Sequence, residues 1–249
     1  MNLAVDIGNT NISIGSFQGK KLISHYYVNN KSLANQKAAF PLSSFLLNQT
    51  RNILVASVNP KTESVFYKYL GKKHKKKVLK IGKEIKLKMP ILVDNPQKVG
   101  VDRLLNALAA YSRTKTLTVI IDFGTAITID IVSKNGEFLG GLILPGIKTS
   151  AYALNKQTAL LPEVVIKRTK NIIGKNTEDA IKAGIYFGMV GSITHILNKV
   201  RKVYGDLQYT IATGGDAETF RKDVPKIDKV IPRLTLEGII IAFKESFDP

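Results

Sequence analysis

The chain has 249 residues, of which 44% are hydrophobic, and a formal net charge of +18. This length corresponds to one or two domains, and the hydrophobic content excludes general disorder, which needs few apolar residues. The sequence has no cysteine and three histidines, which excludes disulfides, thiolate metal sites and cysteine nucleophiles. Its apolar runs are well below the ~18 residues expected of a membrane span, and its N-terminus lacks signal-peptide features. We therefore expect a soluble, cytoplasmic protein with no membrane partner.

The first predicted element is a β-hairpin. Apolar residues alternate on both sides of a turn, and the first strand runs into Asp6-Ile7-Gly8-Asn9-Thr10; this pattern is typical of a hairpin. A third strand is predicted after Gly19. A carboxylate at a strand end can hold a divalent cation, and glycine lets the turn backbone approach a phosphate closely. The alternative is an ordinary turn, in which Asp, Gly and Asn are common.

A buried strand at residues 52–57 and a helix at 61–70 are predicted next, followed by a lysine-rich run. Residues 72–88 contain nine lysines and one glutamate. A basic surface attracts nucleic acid and other anions, but no aromatic residues lie among these lysines to stack on bases. We favour an ordinary solvated surface, keep recruitment of an anionic substrate as the alternative, and do not expect nucleic acid as a partner.

The segment Val99-Gly100-Val101-Asp102-Arg103 precedes a predicted amphipathic helix at residues 103–111. One interpretation is helix capping, with Asp102 as the N-cap. The other is a site in which Asp102 is a general base and Arg103 binds an anionic substrate. We favour the second, because an arginine directly after the aspartate is not needed for capping.

The hairpin pattern returns 116 residues later, in Asp122-Phe123-Gly124-Thr125-Ala126. A third strand again follows a glycine, Gly136. A repeat of this kind predicts two similar lobes, which we place at residues 1–115 and 116–249. Two strands that end in Asp are difficult to explain structurally, so the pair indicates a nucleotide phosphate held between the lobes.

Further elements alternate between helix and strand, which predicts the α/β class. Gly140-Gly141 and Pro145-Gly146 are interpreted as a ligand-side loop. A long helix is predicted at residues 177–204, with His195 as a core or interface residue. A strand at 208–213 ends in Gly214-Gly215, where a flat ligand could lie on the backbone, and a helix is predicted at 236–243.

Taken together, these motifs resemble the actin, sugar kinase and Hsp70 ATPase superfamily. Within it, the two Asp-x-Gly-x-Thr/Ala hairpins, Gly100-Val101-Asp102-Arg103 and Thr213-Gly214-Gly215 resemble, over the whole chain, the type III pantothenate kinases. The resemblance implies two ribonuclease H-like lobes, each with a three-strand meander plus helices, and a nucleotide cleft between them. It implies transfer of the γ-phosphoryl group of ATP to pantothenate by a homodimer.

The resemblance also implies residue roles. Asp102 would accept the proton, and Asp122 would bind K⁺ or NH₄⁺, while Mg²⁺ would accompany ATP near Asp6. Pantothenate would contact Gly100, Val101, Asp102, Arg103 and Thr177. ATP would contact Asp6, Ile7, Gly8, Asn9, Thr10, Asn11, Ile12, Ser13 and Thr125.

Val93 is a departure from the family pattern, which usually has tyrosine there, so one pantothenate contact is expected to be missing or replaced. Two other function classes stay open. One is a kinase for a sugar or another carboxylic acid. The other is a regulatory protein that binds nucleic acid through its basic surface.

Overall fold

The structure is a computed structural model that describes residues 1–34, 42–75, 77–205 and 209–247. The chain divides into two units, Met1–Arg113 with Arg233–Pro249, and Thr114–Pro232. The predicted lobes, 1–115 and 116–249, differ from this division in the placement of the C-terminal helix. That helix packs on the sheet of the first unit, a long-range contact that the order of elements along the chain does not predict.

The first unit is a five-stranded sheet with helices. The strands are β1 (Asn2–Ile7), β2 (Asn11–Gln18), β3 (Lys21–Asn29), β4 (Asn52–Ser57) and β5 (Val78–Lys80). Their order in the sheet is β3-β2-β1-β4-β5; β1, β2 and β3 form an antiparallel meander, and β4 and β5 run parallel to β1. The helices are α1 (Asn30–Ala34), α2 (Ser44–Gln49), α3 (Pro60–Lys75), α4 (Val101–Thr114) and the C-terminal α8 (Leu234–Phe247).

The second unit repeats this topology. The strands are β6 (Thr118–Phe123), β7 (Ala126–Val132), β8 (Phe138–Pro145), β9 (Tyr209–Thr213) and β10 (Lys229–Val230). Their order in the sheet is β10-β9-β6-β7-β8, with an antiparallel β6–β7–β8 meander and with β9 and β10 parallel to β6. The helices are α5 (Ile147–Gln157), α6 (Thr177–Tyr204) and α7 (Ala217–Arg221).

The internal repeat and the α/β fold class are thus confirmed. The likeness extends to an irregularity, because the second and third strands of each meander shift register once, at Ser16/Phe17 and at Ile131/Val132. In both units the aspartate is the penultimate residue of the first strand. The two carboxylates therefore occupy equivalent positions in equivalent sheets.

Alternate residues along the strands of each sheet supply the hydrophobic core on one of its faces. In the first unit, Val5 and Ile14 belong to the core beneath α3. In the second, Ile121 and Ile129 belong to the core beneath α5, α6 and α7. Asp6 and Asp122 have the opposite parity along their strands, so they lie on the other face of each sheet.

Helix α8 packs against that other face in the first unit. A Cβ on Gly238 would lie 2.2 Å from the Leu105 carbonyl oxygen, so α8 approaches the backbone of α4 directly. The Thr235 hydroxyl donates to Asn106 Oδ1 at 2.8 Å, and Arg113 Nε donates to Glu237 Oε2 at 3.0 Å. The helix that carries Asp102 is therefore located by α8.

Several predicted elements need correction. Gly140 and Gly141 lie inside β8 and not in a loop; Pro145 ends that strand, and Gly146 is the N-cap of α5. His195 is exposed on α6, so it is not a core residue. Gln208, predicted to start β9, lies outside the described residues.

Helix α6 has the length and apolar composition of a membrane-spanning helix. A long helix that packs on a protein core meets the same criteria, and Tyr186, Met189, Ile193 and Leu197 of α6 do lie in the core of the second unit.

Candidate active site

Polar residues of the first unit gather where the parallel strands end, the edge at which α/β sheets bind ligands. Asp6 is half-buried and lies opposite Ser13 on β2 and Ala56 on β4. After Ile7 the chain turns, and the Gly8 N–H donates to the Asn11 carbonyl at 3.0 Å. A Cβ on Gly8 would lie 3.2 Å from that oxygen, so glycine suits this tight turn.

The residues expected to contact ATP fall into two groups. Asn9, Thr10 and Asn11 are exposed in the turn. Ile7 and Ile12 are fully buried core residues, so only their backbone is available to a ligand. The expected ATP-binding segment, residues 6–13, therefore consists of a short exposed turn between two buried strands.

Ser13 is nearly buried on β2 and its hydroxyl is already engaged. A hydrogen bond of 2.9 Å joins Ser13 Oγ and His25 Nε2. Burial, together with the nearby Arg233 charge, lowers the pKa of His25. His25 therefore stays neutral near pH 7, and the Ser13 hydroxyl faces an uncharged partner.

Asp102 is the second residue of α4, so the capping interpretation was wrong: Gly100, not Asp102, precedes the helix. The Gly100 carbonyl accepts from the Arg103 N–H at 3.1 Å, and Asp102 Oδ1 accepts from the same N–H at 2.8 Å. A Cβ on Gly100 would lie 2.5 Å from Asp102 Oδ1. The half-buried carboxylate thus occupies space that only a glycine leaves open.

In the second unit, Asp122 is followed by a turn at Gly124 and Thr125. The Thr125 carbonyl accepts from the Gly146 N–H at 3.0 Å and from the Thr149 hydroxyl at 2.6 Å. A Cβ on Gly146 would lie 2.2 Å from the Gly124 carbonyl oxygen. The start of α5 therefore holds this exposed turn in place.

The Gly214-Gly215 turn packs directly on Asp122. Gly214 has a φ of +90°, and a Cβ there would lie 2.5 Å from Asp122 Oδ1. Both the backbone conformation and the space require glycine. The motif interpreted as backbone on which a flat ligand could lie therefore also packs against the Asp122 side chain.

Asp216, which the sequence analysis did not single out, follows this turn. Burial raises the pKa of its carboxyl group, and the positive charge of Lys148 opposes that rise. It occupies the N-cap position of α7 but makes no capping hydrogen bond with its side chain. No sequence signal marks Asp216, because an acid at a helix start is ordinary.

Thr177 is the exposed first residue of α6, preceded by Asn176, whose Oδ1 accepts from the Asp179 N–H at 2.9 Å. A cavity of about 700 Å³ lies beside this turn. Five of its lining residues are basic: Lys167, Arg168, Lys170, Lys175 and Lys182. Arg168 is paired with Asp223, and Lys182 with Glu178. The net positive charge of the residues that line the cavity favours the binding of anions there.

Part of the lysine-rich run is used inside the first unit. The Lys77 Nζ donates to the Thr50 carbonyl at 2.6 Å and the Leu47 carbonyl at 3.2 Å, where it caps the end of α2. Lys80 pairs with the buried Glu63 at 2.7 Å, and hydrogen bonds from Lys80, Tyr67 and Ser57 lower the pKa of Glu63 despite its burial. These lysines therefore do not form a single anion-binding surface.

The oxygen donors around Asp6 and Asp122 fit hard cations. Mg²⁺ is usually bound through one or two carboxylates together with substrate phosphates, which a single aspartate at each site can supply. Among the described residues, no group of three or more His, Asp or Glu side chains could hold a metal ion. The residues present therefore fit a cation that is shared with phosphate groups, rather than one held by the protein alone.

Comparison with known proteins gives a consistent result. The profile of the family described as type III pantothenate kinase matches residues 2–199. The type III pantothenate kinase of Geobacter sulfurreducens is 37% identical over an alignment of 259 residues, gaps included, that covers 99% of both chains. That of Moorella thermoacetica is 37% identical and covers 99% of this chain and 100% of its own.

Solved structures show the same fold at lower identity. A Campylobacter jejuni protein described as a Baf family transcriptional activator has a TM-score of 0.62 and 23% identity, and the match covers 98% of both chains. A Porphyromonas gingivalis protein described as an N-acetylglucosamine kinase has a TM-score of 0.54 and 13% identity, over 98% of this chain and 99% of its own. At this identity the likeness concerns the fold alone.

Proposed function

The chain belongs to the type III pantothenate kinases, which phosphorylate pantothenate with ATP in the first step of coenzyme A biosynthesis, and from this premise we propose how its residues act. Asp102 is the general base, and Gly100, Val101, Arg103 and Thr177 bind pantothenate. Residues 6–13 and Thr125 bind ATP. The observation that carries the proposal is the Asp102 carboxylate, held by the Arg103 N–H in the space above Gly100.

The reaction needs mainly positioning and charge neutralisation. The primary hydroxyl oxygen of pantothenate attacks the γ-phosphorus, the bond to the β,γ-bridging oxygen breaks, and ADP leaves. Asp102 takes the hydroxyl proton as the new bond forms. Arg103, one residue further along α4, binds the pantothenate carboxylate, for which its planar guanidinium is well suited.

Backbone N–H groups of the two turns bind the phosphates, because Gly8 and Gly124 allow close approach. Asp6 would hold the Mg²⁺ that accompanies ATP, and Asp122 with the Gly214 backbone would hold K⁺ or NH₄⁺. When bound, these cations would neutralise phosphate charge. The enzyme works in the cytoplasm, where ATP is available.

The test of the base is Asp102→Asn, assayed by ADP release with ATP, Mg²⁺ and pantothenate. The amide keeps the size of the side chain but cannot accept the proton. We expect kcat to fall by roughly 10²–10⁴, while ATP affinity stays unchanged. Unchanged turnover would reject the assignment. Lys98→Ala, an exposed change just before the motif, is the matched control.

The cation role is tested with Asp122→Ala in potassium and in sodium. We expect the wild-type enzyme to be stimulated by potassium and the variant to lose that stimulation, because its carboxylate is the charged ligand. A variant that potassium still stimulates would remove Asp122 from the cation site. Asp228→Ala, a carboxylate that instead accepts from the Thr210 N–H, is the control.

We also propose that the enzyme is a homodimer that packs through α6. One face of this helix is exposed, and four of its five residues are small: Ala180, Gly184, Gly188, Gly191 and His195. A Cβ on any of the three glycines meets nothing within 4 Å, so no contact with the described part of the chain requires them. Glycine inside a helix costs up to about 1 kcal/mol relative to alanine, which close approach of a second α6 would explain.

Nucleic acid is not part of the proposal, although the net charge is +18. Lys77 and Lys80 from the lysine-rich run are engaged within the first unit. A filter-binding assay at two salt concentrations checks this. We expect weak retention with a steep salt dependence, which indicates non-specific charge attraction; salt-resistant retention of one sequence would instead support a regulatory protein.

A further inference from the structure

Asn30 lies where β3 meets α1, far along the chain from the turn expected to bind ATP, yet it holds that turn at two points. Its main-chain N–H donates to the Thr10 carbonyl at 2.9 Å, and its Nδ2 donates to the Gly8 carbonyl, also at 2.9 Å. One residue thus engages the carbonyls at both ends of the Gly8–Thr10 turn.

These contacts decide where the N–H groups of the turn point. The described peptide bonds are all trans, and in a trans peptide the carbonyl and the following N–H point in opposite directions. When Asn30 holds the Gly8 carbonyl, the Asn9 N–H points away from Asn30. A phosphate bound by this turn would be met from that opposite side.

The amide of Asn30 is placed at a cost. Its Oδ1 is buried and has no hydrogen-bond partner among the described residues. Turning the amide over would set Oδ1 against the Gly8 carbonyl oxygen, so the observed orientation is the one the turn requires. Unsatisfied buried polar atoms are few in native proteins, and each needs an explanation.

We propose that Asn30 is a positioning residue for ATP, which orients the Gly8–Thr10 turn so that its backbone N–H groups meet the phosphates. The inference rests on the proposed role of this turn in ATP binding. Asn30 itself touches the turn and not the nucleotide. Its side chain acts through the Gly8 carbonyl, while its backbone contact to Thr10 is kept in any substitution except proline.

The experiment measures binding of a non-hydrolysable ATP analogue with Mg²⁺ by calorimetry, on Asn30→Ala, Asn30→Asp and the wild-type chain. Asn30→Ala removes one hydrogen bond, so we expect about 3–10-fold weaker binding. Asn30→Asp sets a carboxylate oxygen against the Gly8 carbonyl and should bind still more weakly. Asn52→Ala is the matched control. In the wild-type chain, Asn52 Nδ2 donates to Asn2 Oδ1 at 3.2 Å, where β4 and β1 begin, at the opposite end of these strands from the turn.

Two further readouts separate positioning from a structural role. Asn30→Ala loses a hydrogen bond but also removes the unsatisfied Oδ1, so its Tm should stay within a few degrees of wild type. In the kinase assay, KM for ATP should rise while KM for pantothenate stays within about twofold. A lower Tm together with raised KM values for both ATP and pantothenate would show that Asn30 has only a structural role, and would overturn the proposal.

Unchanged binding of the analogue by both Asn30 variants would also overturn it. Failure of the proposed function gives a different result. In that case the wild-type chain would bind the analogue, and the Asn30 variants would weaken that binding, but no protein would phosphorylate pantothenate.

Discussion

The position of the Asp102 carboxylate depends on Gly100 having no side chain. Oδ1 accepts from the Arg103 N–H at 2.8 Å and lies 2.5 Å from where a Cβ on Gly100 would be. The sequence motif places Gly100 two residues before Asp102, but the motif alone is equally consistent with a flexible loop. The structure shows that the glycine leaves room for the Asp102 carboxylate.

We therefore predict that Gly100→Ala lowers kcat by about tenfold to a hundredfold, because a displacement of a catalytic group by about 1 Å can cost that much. The added methyl group meets the free end of a flexible side chain, so Asp102 moves and the fold is spared. The check is kcat together with the free energy of unfolding. A large loss of stability, or unchanged kcat, would contradict this role for Gly100.

At the scale of elements, α8 locates α4. Gly238 lies against the backbone of α4, where a Cβ would be 2.2 Å from the Leu105 carbonyl oxygen. Side-chain hydrogen bonds from Thr235 to Asn106 and from Arg113 to Glu237 join the same pair of helices. Asp102 and Arg103 lie at the start of α4, so the packing of the last helix fixes their position in the first unit.

Gly238→Ala should destabilise the protein by about 1–3 kcal/mol, the usual cost of overpacking, because rigid backbone and not a side chain meets the new methyl group. Denaturant unfolding measures this change. Gly215→Ala, at an exposed glycine whose added Cβ would meet nothing within 4 Å, is the control and should not destabilise the fold. Equal stabilities for the two variants would show that α8 can shift without cost.

A charged network joins the segment before α6 to the rest of the second unit. Arg168 donates to both carboxylate oxygens of Asp223, at 2.6 and 2.8 Å, and Tyr186 donates to the same carboxylate. The hydrogen bond from Arg168 and that from Tyr186 lower the pKa of Asp223 to about 2. Tyr186 also stacks on Phe220, which stacks on Phe123 beside Asp122.

This network predicts an acid dependence of stability. Because the pKa of Asp223 is lower in the folded state, its contribution is present above the unfolded value near 4 and is lost as pH falls towards 2. The difference in Tm between wild type and Arg168→Gln should therefore shrink between pH 4 and pH 2. Arg221→Gln, which breaks a looser pair with Glu218, should show no such trend. A constant difference for Arg168→Gln would contradict the assignment.

At the scale of the whole molecule, the effect of replacing an exposed glycine of α6 depends on whether this helix face is open to solvent or lies in a dimer interface. In a helix face open to solvent, Gly188→Ala should stabilise the chain by up to about 1 kcal/mol. In the proposed homodimer, the added methyl group separates the two helices and weakens association. We expect light scattering to show a lower dimer fraction for Gly188→Ala at low concentration. Stabilisation with an unchanged mass would place the interface elsewhere.

Much of the architecture was predictable because its signals are local. Strand alternation around two Asp-x-Gly turns, spaced 116 residues apart, predicts the duplicated meander, and the structure confirms it, including the matching strand order of both sheets. A strand interrupted by glycine and asparagine needs only neighbouring residues to specify its turn. The long helix from Thr177 to Tyr204 was predictable for the same reason, since its caps and apolar spacing lie in one segment.

The tertiary structure alone decided the contacts between distant segments. It assigned α8 to the first unit, placed Asn30 against the Gly8–Thr10 turn, and set Gly214 against Asp122. It also showed that His195 is exposed and that Asp102 lies inside its helix. The physical reason is that periodicity and turn residues report on neighbours along the chain, whereas close packing depends on which segments fold against each other.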